Sequence, residues 1–349
     1  LAVGDWNQYF LVINRNKKSL AIDLKKDEGR ELFSKLVAES DVFLSNFQMN
    51  VLKAWGLTYE KLSEINPKLV YATNTGYGHA TEVNRPSYDI NVQALTGIMT
   101  RQGEPGEPPI YLGMGSGDTY GGMMSALGIM LALYQRRKTG RGQAIDASLY
   151  GAQLFMAAPT LQPFLAGQND LYQDPQSRSQ ARNPLWNRYR ARDKWLFLCV
   201  ENSDDNWAKL ARTLGGKLAS DGRFGDAAKR TDNAPALIEA LDAAIAERSA
   251  EDWVKSWNEL GLSASPIQNL KEMAADPQAW ENDYFLKVPC DEVGREVEIR
   301  GLPITLGKTP GRVETLGPEL GQDTEIILME TLGLEWDRIA ELKEKGAIP

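Results

Sequence analysis

Along the first 165 residues the apolar positions alternate between short β-prone runs and helical faces. Ser19 to Asp23 is β-prone; after the charged Lys25 to Arg30, the apolar Leu32, Phe33, Leu36 and Val37 recur at helical spacing. Asp41 to Leu44 predicts a strand, Asn50 to Ile65 one or two short helices, and Leu69 to Thr75 a strand ending in the turn-rich TGYGH. A helix from Tyr88 to Met99 then leads into a Gly- and Pro-rich loop, RQGEPGEPPIYLGMGSGD, which ends at Asp118. The apolar segment Thr119 to Tyr134 reads as a helix closed by Arg136, Arg137 and Lys138, cations suited to a helix C-terminus, and stopped by Gly140. Gln143 to Ser148 alternates as a strand does, and Tyr150 to Phe164 is apolar at helical spacing. Strands alternating with helices predict an α/β fold with a parallel sheet, whose ligands gather at the carboxyl ends of the strands. Asn46, Phe47, Thr75 and Gly76 fall at those ends.

The pattern changes at Gly167, where GQNDLYQDPQSRSQARNP is nearly devoid of aliphatic residues and reads as a linker or loop. Beyond it, Trp195 to Val200 predicts a strand. Helices are expected at Asp205 to Leu214, Ala234 to Glu247 and Ala250 to Leu260, making a smaller α+β unit. Pro266 to Ala275 leads back through Gly301-Leu302-Pro303 to two terminal helices, Thr324 to Leu332 and Trp336 to Lys345.

With 42% hydrophobic and 25% charged residues among 349, the chain can bury a core and is not a disordered protein. Its 39 Lys and Arg against 47 Asp and Glu leave a net charge of −8, which argues against a nucleic-acid or anionic-membrane partner; an anionic ligand must meet local basic residues. Cys199 and Cys290 have no paired spacing, so neither a disulfide framework nor a Cys-rich zinc site is expected, and a reducing, cytoplasmic setting fits. The single histidine, His79 in GYGHATE, matches neither a Ser-His-Asp triad nor an HExxH metal site and reads as a loop residue. The longest apolar run, around Met123 to Tyr134, is shorter than the ~20 residues of a membrane span and reads as a core helix. The chain opens LAVGDWNQYF, with neither an initiator Met nor the order of a signal peptide, and the expectation is that an N-terminal segment is missing.

Asp118 follows GMGSG and precedes the apolar helix. One reading makes it an N-cap, accepting amides of the first helical turn. The other makes it a reactive carboxylate on a glycine-rich turn, where backbone N–H groups can stabilise an oxyanion. With no histidine to activate a Ser or Cys, a carboxylate is the best nucleophile on offer. The spacing alone leaves both open.

Taken in order, NRNKKSLAIDLK, DVFLSNF, GLTYEKLSEINPKLVYATNTGYG, RPSYDINVQALTG, GMGSGDTYGG, LGIMLALYQRRKTGRGQAIDASL and LGQDTEIILMETLGL resemble the class III CoA-transferases. That is the family of formyl-CoA and carnitine CoA-transferases, which also holds the 2-methylacyl-CoA racemases. The resemblance runs from about Asn14 to the C-terminus and is weakest between Gly167 and Ala250. It implies that Asp118 is the catalytic aspartate, that Tyr88, Asp89 and Leu149 line the acyl pocket, and that Ile22, Lys25, Asn46, Phe47 and Arg85 hold CoA. It also implies a Rossmann-like large CoA-binding domain over 1–166, a linker over 167–183, a small domain over 184–276, a second linker over 277–303, and a C-terminal return to the large domain over 304–349. Two such chains would interlace as a ring-like dimer, with CoA thioester as substrate and no permanently bound cofactor. The family's first strand-helix unit has no counterpart before Asn14, Ala54 stands where a basic residue is common, and the glycine-run lid is absent, leaving Gly167 to Asn183 as the candidate for that part.

The leading expectation is transfer of CoA from an acyl-CoA to a carboxylic acid through aspartyl intermediates on Asp118. A racemase reading is weaker because the racemases place a His at Tyr88, and a tyrosine with a pKa of ~10 is a poor base near neutrality. A third reading is a non-catalytic CoA-binding subunit of a hetero-oligomer, against which the presence of Asp118 argues.

Overall fold

The computed structural model describes residues 2–3, 6–79, 85–167, 177–290 and 293–349. Most of the polar stretch over 167–183 therefore lies outside the described residues. The chain divides into two compact units, one built from Leu1–Thr96, Leu112–Ala158 and Asp276–Pro349, the other from Gly97–Tyr111 and Pro159–Ala275.

In the first unit Ala2–Val3 pairs antiparallel with Trp6–Asn7, and a short helix α1 (Gln8–Ile13) is followed by α2 (Asp27–Glu39), which buries Leu32 and Val37. Strands β1 (Val42–Ser45), β2 (Val70–Thr75) and β3 (Ala144–Ser148) form a parallel sheet in that order, with Val42 opposite Val70 and Tyr71 opposite Ala144. Parallel strands need long crossovers. Helices α3 (Met49–Trp55) and α4 (Tyr59–Ile65) connect β1 to β2; α5 (Asp89–Leu95) and the 24-residue α6 (Ser116–Thr139) lie between β2 and β3. After β3 comes α7 (Leu149–Met156), and α8 (Ala158–Leu165) leads into the second unit. Val37, Leu52, Leu57, Leu62, Leu69 and Tyr71 make one core between α2, α3, α4 and the sheet.

Ser19 to Asp23, read from its pattern as a strand, joins no sheet. Its amides are taken by the C-terminal segment instead: Ser19 N donates to Asp323 Oδ2 at 2.7 Å, Ala21 N to Thr324 Oγ1 at 3.0 Å and Asp23 N to the Ala347 carbonyl at 2.9 Å. Extended backbone with satisfied donors gives the same alternation whether or not the partner is a strand. The single helix expected over Tyr150 to Phe164 is two, and the one expected from Tyr88 stops at Leu95 before a 3₁₀ turn.

The second unit is built on the antiparallel sheet β4 (Trp186–Arg190), β5 (Trp195–Cys199) and β6 (Ala264–Pro266). Helices α9 (Asp204–Leu214), α10 (Ala234–Ile245) and α11 (Ala250–Glu259) cover it. The apolar faces of these helices pack on Leu185, Tyr189, Leu196 and Leu198 to make its core.

Back in the first unit, β7 (Phe285–Cys290) and β8 (Arg295–Arg300) form an antiparallel hairpin, and α12 (Thr324–Leu332) and α13 (Trp336–Glu344) end the chain. Leu328, Ile339 and Leu342 pack there with Leu32 of α2. Among the described residues no helix is long and apolar enough to cross a membrane, and no group of three or more His, Cys, Asp or Glu is placed to hold a metal ion.

Candidate active site

Helix α6 sets the geometry. Near its start Gly121 lies against the side chain of Asn74, close to the carboxyl end of β2; a Cβ on Gly121 would come within 3.1 Å of Asn74 Oδ1. Near its other end Arg136 donates to Asp41 Oδ1 at 2.7 Å and to the Lys68 carbonyl at 3.1 Å, both just ahead of their strands. The helix therefore runs antiparallel to β1 and β2. Its N-terminus, with Asp118, stands at the carboxyl edge of the sheet, where α/β folds bind ligands.

Asp118 is not the N-cap. Gly115, in the left-handed region at φ 54°, occupies that position and Asp118 is the third helical residue. The amides of the first turn are taken by a carboxylate from another helix: Asp89, first residue of α5, accepts from Gly117 N at 2.5 Å and from Asp118 N at 3.0 Å. Asp89 is buried and also accepts from Gln93 Nε2. Gln93 in turn donates to the Leu112 carbonyl and accepts from the Leu112 amide, pinning the GMGSG turn's approach to α5. Asp89 takes those donors, so they are not free for the Asp118 side chain. Its carboxylate stays solvent-accessible. Crowding by protein atoms, and secondarily the charge of Asp89, raises its pKa above the ordinary aspartate range. An accessible carboxylate with raised proton affinity and no donors of its own is suited to attack an electrophile.

Residues 2–324 match the model of CoA-transferase family III. The chain belongs to that family. It is 31% identical over 345 residues to the succinyl-CoA–D-citramalate CoA-transferase of Chloroflexus aurantiacus, covering 97% of this chain and 84% of that protein. It is 29% identical to the same organism's succinyl-CoA–L-malate CoA-transferase beta subunit, covering 96% and 83%. A crystal structure of a CaiB/BaiF family protein from Brucella suis superposes with a TM-score of 0.82 at 29% identity, covering 95% of this chain and 86% of that one. CoA-transferases use CoA thioesters as substrates, so this family III member is an enzyme of the transferase class.

Other residues singled out in the sequence fall in three places. Asn46 and Phe47 are exposed just past β1, with Phe47 edge-on to Trp55 at 5.7 Å. The adjacent Gln48 donates to the Arg85 carbonyl at 3.4 Å, and the Arg85 guanidinium lies 4.1 Å over the Tyr77 ring past β2. Asn46, Phe47 and Arg85 thus gather at the carboxyl edge of the sheet. Tyr88 is the N-cap of α5 and 75% exposed; Leu149 is buried as the first residue of α7. Ile22 packs against the C-terminal helices, and Lys25 is exposed in the turn before α2. His79 donates its backbone N–H to Asp146 Oδ2 at 2.8 Å, and its Nδ1 lies 3.7 Å from Asp146 Oδ1.

Sequence reasoning missed the polar residues behind the GMGSG turn. Gln93 holds Leu112, Gln153 lies against Gly117, and Thr96 Oγ1 donates to Gln153 Oε1 at 2.9 Å. Gln93 and Gln153 stand at otherwise apolar helical faces, VQAL and AQLF, a pattern that marks a buried polar side chain needing partners.

Proposed function

We propose that Asp118 carries CoA between an acyl-CoA thioester and a carboxylic acid. Its carboxylate attacks the thioester carbonyl, giving a mixed anhydride and CoA thiolate; the thiolate attacks the aspartyl carbonyl, giving aspartyl-CoA thioester and the donor acid. The acceptor carboxylate then repeats the two steps in reverse. No water takes part, and each intermediate hydrolyses readily, so the pocket must exclude water during turnover. The observation that carries this reading is the accessible carboxylate of Asp118, beside amides already taken by Asp89, at the carboxyl edge of a parallel sheet in a family III chain.

In this reading Tyr88 and Leu149 border the acyl group, with Asp89, the third residue expected there, just behind them on the amides of Gly117 and Asp118; Asn46, Phe47, Arg85, Lys25 and Ile22 contact CoA, the two cations answering its phosphates. The active form is an interlaced dimer. The exposed Met123, Leu127, Met130, Leu131 and Tyr134 along α6 supply the kind of apolar face that a partner chain covers. A hetero-oligomer with a related subunit is the variant suggested by the Chloroflexus beta subunit.

The test is acceptor dependence. An acyl-CoA donor and a panel of carboxylic acids should give new acyl-CoA only when an acid is present, with no exchange of the donor's α-proton for solvent deuterium. Rapid α-proton exchange without any acid would replace this reading by racemisation.

A further inference from the structure

Gln153 of α7 is wholly buried behind the first turn of α6. Its Oε1 is held by the Thr96 hydroxyl at 2.9 Å, while its Nε2 is buried without a hydrogen-bond partner. A Cβ placed on Gly117 would lie 2.2 Å from Gln153 Nε2 and 2.8 Å from Asp89 Oδ2. Two polar groups, one from α7 and one from α5, therefore close on the same glycine, one residue before Asp118. A buried donor without an acceptor costs about 1–3 kcal/mol, so an apolar side chain of similar shape would serve stability better. The arrangement calls for a role in the site.

That role follows from where Asp118 sits. A carboxylate at the third position of a helix ordinarily turns back on the free amides of its own first turn, where it is stabilised by hydrogen bonds and by the positive end of the helix dipole. Stabilised in that way, it would be a weaker nucleophile. Asp89 has already taken the amides of Gly117 and Asp118, and Gln153 closes on the same turn at Gly117.

We propose that Asp89 and Gln153 are positioning residues for Asp118: together they clamp the first turn of α6 at Gly117, and Asp89 occupies the Gly117 and Asp118 amides, so that the Asp118 carboxylate is presented without a bond from its own helix. The inference rests on Asp118 being the nucleophile. Asp89 acts through charge as well as geometry, whereas Gln153 acts through geometry alone, and this difference makes the roles separable. Beyond the effect of burial, it is the charge of Asp89 that helps raise the Asp118 pKa.

Full-length wild type, Asp89→Asn, Gln153→Met and Thr96→Val are compared by pH–rate profiles, with thermal melts to report folding. Gln153→Met should lower kcat by ~10-fold or more, leave KM for acyl-CoA within about twofold, and leave the acid side of the profile in place. Thr96→Val, which frees the Gln153 amide without touching Gly117, should change kcat in the same direction by less. Asp89→Asn should lower kcat and also move the acid side of the profile to lower pH, because a like charge beside Asp118 is gone. A purely structural role would lower the amount of folded enzyme without moving the profile. Wild-type kcat in both Asp89→Asn and Gln153→Met, or an unmoved profile in folded Asp89→Asn, would overturn the proposal. Hydroxylamine trapping of wild type loaded with acyl-CoA distinguishes the two failures: no modified Asp118 peptide removes the nucleophile itself, while a modified peptide alongside unchanged variants removes only the clamp.

Discussion

Replacing Asp118 by Asn keeps the shape of the side chain and removes its charge. Transfer should fall by several orders of magnitude in a steady-state assay while the protein stays folded. The stability change has a definite sign. The folded-state pKa of Asp118 is raised, so the fold binds its proton more tightly than the unfolded chain does, and ionisation costs stability as pH rises through that window. Asp118→Asn should therefore melt at or above the wild-type temperature at pH 7, with the difference disappearing below the ordinary aspartate pKa; a variant that melts markedly lower at pH 7 would show that the carboxylate is structural. The GSGD turn pointed to this residue, but whether it capped or reacted could not be read locally. The cap comes from Asp89, 29 positions away in the chain, and only the fold brings it there.

At the scale of elements, α6 is aimed by its far end. The turn after Gly140 is so close to the chain entering β2 that a Cβ on Gly142 would lie 1.9 Å from the Leu69 carbonyl oxygen, and Gly142 N donates to the Pro67 carbonyl at 3.0 Å. Gly142→Ala should destabilise the protein by about 1–3 kcal/mol in urea denaturation, since the backbone on the other side cannot yield cheaply. An unchanged midpoint would mean that the turn relaxes freely. Strand β2 and helix α6 were legible because the apolar run that opens β2 and the long one in α6 are well bounded. The hairpin β7–β8 was not: Phe285–Cys290 and Arg295–Arg300 bury only Val288, Cys290 and Ile299, and PCDEVGRE between the apolar positions reads as a polar connection. The alternation in EVEIR was the one local signal of a strand that is wet on one face. Strand β4 was hidden in the same way, since Asn187, Arg188 and Arg190 mask the buried Tyr189.

On the scale of the whole molecule each unit has a core of its own. In the second, Trp257 is fully buried, stacks on Trp253 at 5.1 Å and donates its indole N–H to Thr213 Oγ1 at 2.9 Å. Trp257→Ala should cost ~3–5 kcal/mol, read as a lowered denaturation midpoint. A loss below about 1 kcal/mol would mean that this core repacks. The discontinuous make-up of the units could not be seen in the pattern, because the loop Gly97–Tyr111 interrupts the first unit yet groups with the second. Loops of Gly, Pro and Glu carry no periodicity to say which core they serve.

The central claim is that Asp118 exchanges covalent bonds with both acids, and oxygen follows those bonds. When the acceptor carboxylate attacks the aspartyl-CoA thioester and CoA thiolate then attacks the acceptor's carbonyl, the bridging oxygen stays on the aspartate. Turnover with an acceptor acid labelled in both carboxylate oxygens with ¹⁸O should make the peptide containing Asp118 heavier by about 2 mass units after one cycle, with no gain in peptides carrying Asp89 or Asp146. Transfer of CoA at the full rate with no label entering the Asp118 peptide would contradict the account.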